Sequence, residues 1–300
     1  MSISASMVKE LREKTSAGMM DCKKALAETN GDFDKAVDWL RAKGLSSAAK
    51  KAGRIASEGT VFAASNGKAG VVGEVNSETD FVARNDAFKA FVAELTSVVL
   101  AAPATSDAKT LKMKSGHTVE EAAKEMVATI GENIVLRRAV KYELKGDGLV
   151  HSYLHGESKI GVLVEVGGKD SAELKTFAQD VCLHIAAMNP AAITADQLSP
   201  EVVEKEKSVL KAKALEQGKK PEMIDKIIEG QIRKFLAESC LMDQSFVKNP
   251  DLKVGDYAKE TGKKIGADVS VRRFTRFELG EGIEKKVEDF AAEVAAQIKN

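Results

Sequence analysis

The first fifty residues place their apolar side chains at helical spacing. Three stripes recur at intervals of three, four or seven positions: Val8 and Leu11, then Met19, Cys22 and Leu26, then Phe33, Ala36, Val37 and Leu40. This spacing predicts three short helices, the third of which ends at Gly44. Because three short helices enclose only a small core, we expect residues 1–55 to be a marginally stable module suited to docking on a partner.

From residue 59 the pattern changes to the alternating or continuous apolar runs that are typical of strands. Two such runs flank Asn66-Gly67, a strong signal for a β-hairpin, and a second pair flanks His155-Gly156. A helix is predicted after each hairpin. The first has an apolar stripe of Phe81, Phe88, Phe91, Val92 and Leu95, and the second spans Ala172–Met188.

The two hairpin regions resemble each other, which indicates an internal duplication. Gly70–Val75 aligns with Gly161–Val166, and Val135–Arg138 aligns with Ser270–Arg273. The repeated unit therefore contains a hairpin, a helix, an insertion and a closing strand. We expect an α+β fold with two three-stranded antiparallel sheets, each covered by helices.

The insertions differ between the two halves. Residues 104–131 are expected to be mostly helical. Residues 200–244 predict two charged helices with narrow apolar seams, which form an antiparallel hairpin that projects from the core. The last helix is predicted over Ile283–Lys299, and its apolar face must dock on the core or on a partner.

Composition and charge narrow the range of functions. The 45 basic and 45 acidic residues balance, which argues against binding nucleic acid through bulk charge. Residues 1–55 alone are basic, with 11 basic and seven acidic residues. Three scattered cysteines, no signal peptide and no apolar run near the roughly 18–20 residues of a membrane helix predict a cytoplasmic protein that does not bind membranes.

Residues with catalytic or metal-binding spacing are hard to find. The sequence contains no phosphate-binding glycine loop. His151 and His155 fall in the predicted hairpin, about 13 Å apart along a strand, which favours surface histidines over a metal site. Cys182 and His184 point to different helix faces and do not form a nucleophile–base pair. We therefore expect no catalytic residue, metal or cofactor.

The segment Thr79-Asp80-Phe81-Val82, between the first hairpin and its helix, has two interpretations. In the first, Thr79 or Asp80 caps the helix and Phe81 is a core residue on its first turn. In the second, a helix N-terminus presents an acidic and an aromatic side chain to a partner. Spacing alone favours the first interpretation but does not separate the two.

Motifs in order along almost the whole chain resemble those of the bacterial elongation factor Ts family. They are Val8–Arg12, Gly18–Leu26, Glu74–Ala83, Ile130–Ile134, His155-Gly156, His184–Ala187 and Gly280–Glu284. That family exchanges guanine nucleotides on elongation factor Tu. The resemblance implies that this chain promotes GDP release from Tu without covalent chemistry, by disturbing the magnesium and phosphate region of the GTPase domain.

The resemblance also implies an organisation and a set of contact residues. The segments are a ubiquitin-associated-like helical Tu-docking module (1–55), a core N-subdomain (56–147), a core C-subdomain in two parts (148–199 and 245–280), a coiled-coil hairpin (200–244) and a C-terminal helical module (281–300). The exchange element is Thr79, Asp80, Phe81 and Val82. Other implied Tu contacts are Arg12, Met19, Met20, Ile130, Gly131 and His155.

The implied partner is Tu, both GDP-bound and nucleotide-free, and self-association through the helical hairpin stays open. One alternative is a helical binding module that docks on Tu or the ribosome without exchange activity, in which case residues 1–55 alone retain all activity. The other is a hydrolase or transferase that uses His151, His155 or His184.

Overall fold

The computed structural model describes residues 3–15, 17–218 and 221–284. Apart from its first two residues, the predicted helix over Ile283–Lys299 lies outside this part of the chain. The helices are α1 (Ala5–Thr15), α2 (Met19–Glu28), α3 (Phe33–Lys51), α4 (Asp80–Arg84), α5 (Asp86–Ala101), α6 (Val119–Ile130), α7 (Ala172–Met188), α8 (Pro200–Glu216), α9 (Pro221–Ser239) and α10 (Val254–Ile265). The strands are β1 (Glu58–Ser65), β2 (Ala69–Ser77), β3 (Val135–Glu143), β4 (Gly148–His155), β5 (Ile160–Gly167), β6 (Ser245–Phe246), β7 (Asn249–Lys253) and β8 (Ser270–Glu278).

The α+β fold with two small three-stranded sheets is confirmed. The sheet orders are β1-β2-β3 and β4-β5-β8. In the second sheet β4 pairs antiparallel with β5, from Gly148 opposite Gly167 to His155 opposite Ile160. A third sheet, β6-β7, has only two strands and was not anticipated.

By contacts the chain divides into two compact units. One comprises Met1–Val61, Gly73–Ala139 and Glu278–Asn300, and the other comprises Phe62–Val72 and Val140–Phe277, each as far as its residues are described. In the first unit, α1, α2 and α3 enclose a small core of Val8, Leu11, Cys22, Ala25, Leu26 and Ala36. In the second, the larger core contains α7 and the inner faces of β4 and β5.

The prediction that Gly44 ends the third helix is wrong, because α3 continues to Lys51. A Cβ atom on Gly44 would lie 2.8 Å from the Cβ of Ala128 in α6. The glycine therefore permits α3 and α6 to approach closely, which a larger residue would prevent. A glycine that ends a helix and one that permits close packing look alike in sequence.

The prediction that 104–131 is mostly helical holds only for α6. Residues before it form one short 3₁₀ turn at Ala108–Thr110 and then a tight turn. In that turn the Met113 amide donates to the carbonyl of His117, and Gly116 has a φ of +83°. A positive φ is incompatible with a continuing right-handed helix, so α6 begins only after Thr118.

A fully buried carboxylate lies in the middle strand of the first sheet. Both oxygens of Glu74 lie near the Nη1 of Arg137 (3.0 and 3.2 Å), and Oε2 also accepts from the Nε of Arg138 at 2.6 Å. Oε1 accepts from the Gly280 amide at 2.8 Å and from the Asn76 side chain at 3.0 Å. The arginines belong to β3, so this cluster holds β2, β3 and the chain after β8 together.

The second sheet repeats this arrangement at the aligned positions. Glu165 Oε2 accepts from the Nε of Arg273 at 2.7 Å, and Oε1 lies 3.2 Å from the Nη1 of Arg272. Oε1 also accepts from the Lys145 amide at 2.9 Å. The duplication therefore conserves a carboxylate, two arginines and an incoming amide in each half.

These hydrogen bonds control the ionisation of both carboxylates. Burial alone would raise the pKa of Glu74, but donors from Gly280, Asn76 and both arginines outweigh it and hold that pKa below the ordinary 4.5. Burial would likewise raise the pKa of Glu165, but hydrogen bonds from the Lys145 amide and from two arginines outweigh it and lower that pKa. A pKa lowered by folding contributes stability above the unfolded-state value, and that stability is lost as pH falls through the folded-state value.

We predict that Glu74→Gln or Glu165→Gln lowers the free energy of unfolding at pH 7 by about 2–4 kcal/mol, measured by urea denaturation. The effect is smaller than for a fully buried pair because the arginine side chains are about one-quarter to one-third exposed. Below pH 4.5 the free energy of unfolding of the wild type should fall, and it should fall less steeply when Glu74→Gln and Glu165→Gln are combined.

The matched control is Glu13→Gln, which removes an exposed carboxylate 3.8 Å from Lys9 on α1. Such surface pairs contribute about 0–1 kcal/mol, so the control should unfold like the wild type. An equal loss in the control and in Glu74→Gln would contradict the role assigned to the buried clusters.

Candidate partner-binding site

The segment Thr79–Val82 forms a corner between β2 and α5. Thr79 is the N-cap residue of the five-residue helix α4, and the other three residues form its first turn. Val82 is 4% exposed, whereas Phe81 is 74% exposed. Asp80 is also exposed and lies 3.7 Å from the Arg84 side chain. The corner is thus anchored by one apolar residue and presents an acidic and an aromatic side chain to solvent.

The interpretation of Phe81 as a core residue is therefore wrong. The sequence pattern joined Phe81 to the stripe of Phe88, but the helix is interrupted at Asn85. That residue has extended backbone, and its side chain accepts from the amides of Ala87 (2.9 Å) and Phe88 (3.2 Å), which caps α5. Because α4 and α5 are separate helices, the stripe does not continue across the break.

Thr79 also differs from a conventional cap, because its side chain makes no capping hydrogen bond to α4. Its hydroxyl donates to Glu132 Oε1 at 2.7 Å and its amide donates to Glu132 Oε2 at 2.8 Å. The Thr79 carbonyl accepts from the Ser77 hydroxyl at 2.9 Å. Backbone and side chain of Thr79 are therefore both fixed from outside the short helix.

Ile130 and Gly131 lie beside this corner, at the end of α6. Ile130 is half-buried, and Gly131 ends the helix in the left-handed conformation with a φ of +90°. The Gly131 carbonyl accepts from the Lys51 ammonium at 2.5 Å. The structure therefore brings Ile130-Gly131 and Thr79–Val82 together through Glu132, which follows Gly131 directly.

The three predicted contact residues of the N-terminal helices are all exposed. Arg12 lies on the outer face of α1, and Met19 and Met20, in the first turn of α2, are 58% and 73% exposed. The sequence pattern places Met19 in one apolar stripe with Cys22 and Leu26. Cys22 and Leu26 are buried, but Met19 is not. Two adjacent methionines that are both exposed to solvent are typical of adaptable contact surfaces.

His155 belongs to the other compact unit, at the end of β4. Its side chain is exposed, and its Nδ1 lies 3.0 Å from the Tyr153 hydroxyl. The remaining histidine of the HxxxH pair, His151, has its Nε2 2.6 Å from Gln179 Oε1. Each histidine thus has its own partner in the second unit.

The other candidate residues for catalysis take part in internal packing. His184 is fully buried, accepts from the Val247 amide at Nδ1 (3.1 Å) and donates from Nε2 to Gln244 (2.8 Å). Burial lowers its pKa, which favours the neutral ring that this bonding requires. Burial also favours the neutral form of the Cys182 thiol, and for a thiol this raises the pKa. Among the described residues, no group of three or more histidine, cysteine or acidic side chains could hold a metal ion.

Glu132 was missed as a site residue by sequence reasoning. The motif Ile130–Ile134 drew attention to Ile130 and Gly131 as contacts, whereas the side chain that binds the corner is the next one. The signal that could have found it is the position of a charged residue directly after a helix-ending glycine and shortly before a strand. No described helix is long and apolar enough to cross a membrane.

Comparisons with known proteins agree on one family. The family model described as elongation factor TS matches residues 78–281. Elongation factor Ts of Bdellovibrio bacteriovorus is 63% identical over 306 aligned positions, which cover 100% of this chain and 99% of that protein. The same factor from Brucella anthropi is 51% identical and that from Syntrophotalea carbinolica 50% identical, each over 100% of both chains.

We predict that Asn85→Ala lowers the free energy of unfolding by about 1 kcal/mol, the usual loss when an N-cap side chain is removed. The reason is that two α5 amides lose their acceptor. The measurement is urea denaturation, with the exposed Lys89→Ala on the same helix as control, expected within about 0.5 kcal/mol of wild type. Equal stability of Asn85→Ala and wild type would contradict the break between α4 and α5.

Proposed function

The chain belongs to the elongation factor Ts family of translation elongation factors, and from that premise we propose that it binds elongation factor Tu carrying GDP and accelerates GDP release. It acts as an exchange factor that makes and breaks no covalent bond. We propose that it works in the cytoplasm, where protein synthesis takes place. Its exchange element comprises Thr79, Asp80, Phe81 and Val82.

The observation that carries this proposal is the exposure of Phe81. A phenylalanine that is 74% exposed leaves most of its ring in water, although it adjoins the buried Val82. Full burial of such a ring contributes about 1.5–3 kcal/mol, which becomes available when a partner covers it. Aromatic residues of this kind, placed beside a charge, are typical anchors of protein interfaces.

The proposed action follows from thermodynamic linkage. GTPases hold their nucleotide through a bound magnesium ion and a phosphate-binding loop. We propose that Phe81 inserts into the GTPase domain of Tu near the magnesium site, while Asp80 orients the insertion and changes polar contacts. A factor that binds the magnesium-disrupted conformation of Tu more tightly must lower the affinity of Tu for GDP. By the same ratio, bound GDP must lower the affinity of Tu for the factor. Each tenfold weakening requires about 1.4 kcal/mol of differential binding.

The remaining contacts are proposed to secure the complex. The basic helical module of residues 1–55 docks on the GTPase domain through Arg12, Met19 and Met20. The duplicated core (56–147, and 148–199 with 245–280) contributes Ile130, Gly131 and His155. The exposed methionines are the observation that supports docking, and they would also suit a binding module without exchange activity. We assign the C-terminal module 281–300 to the same complex.

Self-association is proposed for the projecting hairpin of residues 200–244. Its first helix, α8, exposes Val202 (46%), Val209 (53%) and Leu215 (53%). The inner seam is closed by Ala214 and by Ile224 and Ile232 of α9, which are buried. We propose that these exposed apolar side chains of α8 pack against a second copy of the chain.

We predict that Asp80→Ala combined with Phe81→Ala slows catalysed GDP release about tenfold or more, because the anchor and its orienting charge are lost. Release is measured with fluorescent GDP on Tu, at fixed free magnesium and with excess unlabelled GDP. Both side chains are exposed, so the free energy of unfolding should stay within about 0.5 kcal/mol of wild type.

The matched control is Arg84→Ala. It removes the ion-pair partner of Asp80 but leaves both proposed residues in place. Exposed pairs contribute about 0–1 kcal/mol, so its exchange rate should stay within a few-fold of wild type. Unchanged exchange in the Asp80/Phe81 double variant would refute the proposed element, and retention of full activity by residues 1–55 alone would favour the simple binding module.

A further inference from the structure

The short helix that carries Phe81 cannot hold its own position. A helix of five residues has too few internal hydrogen bonds to offset the cost of nucleation. Its C-terminal end is fixed by the buried Val82 and by the break at Asn85. Its N-terminal end follows Thr79, whose side chain makes no capping hydrogen bond to the helix. The direction in which Phe81 points therefore depends on what holds Thr79.

One carboxylate holds Thr79 by two hydrogen bonds. The amide reaches Glu132 Oε2 at 2.8 Å, and the hydroxyl reaches Oε1 at 2.7 Å. Because both acceptors belong to one planar group, they fix the rotation of residue 79 as well as its location. Asp80 and Phe81 follow immediately, so that rotation sets the direction of their side chains.

Glu132 is itself held by neighbours on both sides. Gly131 accepts from the Lys51 ammonium at 2.5 Å. Asn133 donates from its amide to Glu78 at 2.6 Å and from its side chain to the Arg54 carbonyl at 2.9 Å. The carboxylate thus projects from a segment fixed to the end of α3 and to the residue before Thr79.

We propose that Glu132 is a positioning residue for the exchange element, acting through Thr79. This inference rests on the proposed exchange function. Glu132 sets the direction of Phe81 and makes no contact with Tu of its own, because its carboxylate is occupied by Thr79. Its loss therefore lowers the maximal rate of GDP release from the saturated complex and leaves the concentration for half-saturation unchanged.

The test compares the full-length chain with Glu132→Ala, Thr79→Val and Thr79→Ser in the fluorescent-GDP assay over a range of factor concentrations. For Glu132→Ala we expect the maximal rate to fall about tenfold, the equivalent of roughly 1.4 kcal/mol, with half-saturation within about twofold of wild type. Thr79→Val lacks the hydroxyl, so its maximal rate of GDP release should also fall. Thr79→Ser retains the hydroxyl and should restore a near wild-type rate.

A double-mutant cycle shows whether Glu132 acts through Thr79. If it does, Glu132→Ala with Thr79→Val is no slower than Glu132→Ala alone, within about twofold. Independent, multiplying effects would overturn the proposal, as would a wild-type maximal rate in Glu132→Ala or a change confined to half-saturation. If Glu132→Ala unfolds at the assay temperature, the Val and Ser variants at Thr79 decide the question.

The wild-type chain distinguishes failure of the proposed function from failure of the positioning role of Glu132. If it fails to accelerate GDP release, the proposed function fails and the positioning role fails with it. If wild type and Glu132→Ala accelerate release equally, the proposed function stands and the positioning role alone is refuted.

Discussion

The fold depends on two buried carboxylates that are each neutralised by a pair of arginines. Leaving such a carboxylate without its arginines would cost several kcal/mol, so each sheet is most stable with its pairs complete. Each cluster also accepts the amide of a residue two positions after a closing strand: Gly280 after β8 for Glu74, and Lys145 after β3 for Glu165. For Glu74 that amide comes from 206 residues later in the chain, so the cluster in the first sheet is complete only when the chain after β8 is in place.

The same interaction sets the location of the candidate site. β2 and β3 are neighbours in the first sheet, and Glu74 is bound to Arg137 and Arg138 across them. Thr79 lies two residues after β2 ends, and Glu132 lies three residues before β3 begins. Because the cluster fixes the two strands relative to each other, it also brings the partners of the Thr79–Glu132 hydrogen bonds within reach. We infer that the exposed Phe81 on the short helix α4 holds a fixed orientation because these strands are fixed.

Much of the fold could be predicted from sequence because periodicity and turn chemistry are local. Asn66-Gly67 marked the first hairpin, and the duplication located both closing strands. The predictions that were wrong concern features that depend on contacts outside the local sequence pattern. Gly44 permits the close approach of α3 and α6 rather than ending α3, and Asn85 interrupts the stripe that had placed Phe81 in the core. The buried clusters were detectable only as a glutamate repeated in two apolar strands and an arginine pair repeated in two others.

We propose that this chain releases GDP from Tu repeatedly, through an element whose exposed Phe81 is oriented by the Thr79–Glu132 hydrogen bonds. The most direct measurement is release of fluorescent GDP from Tu on addition of the chain at a small fraction of the Tu concentration, with free magnesium fixed and unlabelled GDP in excess. We expect nearly all labelled GDP to leave quickly, because each molecule of factor acts on many molecules of Tu. Release no faster than the spontaneous rate, from a folded chain that binds Tu, would contradict it.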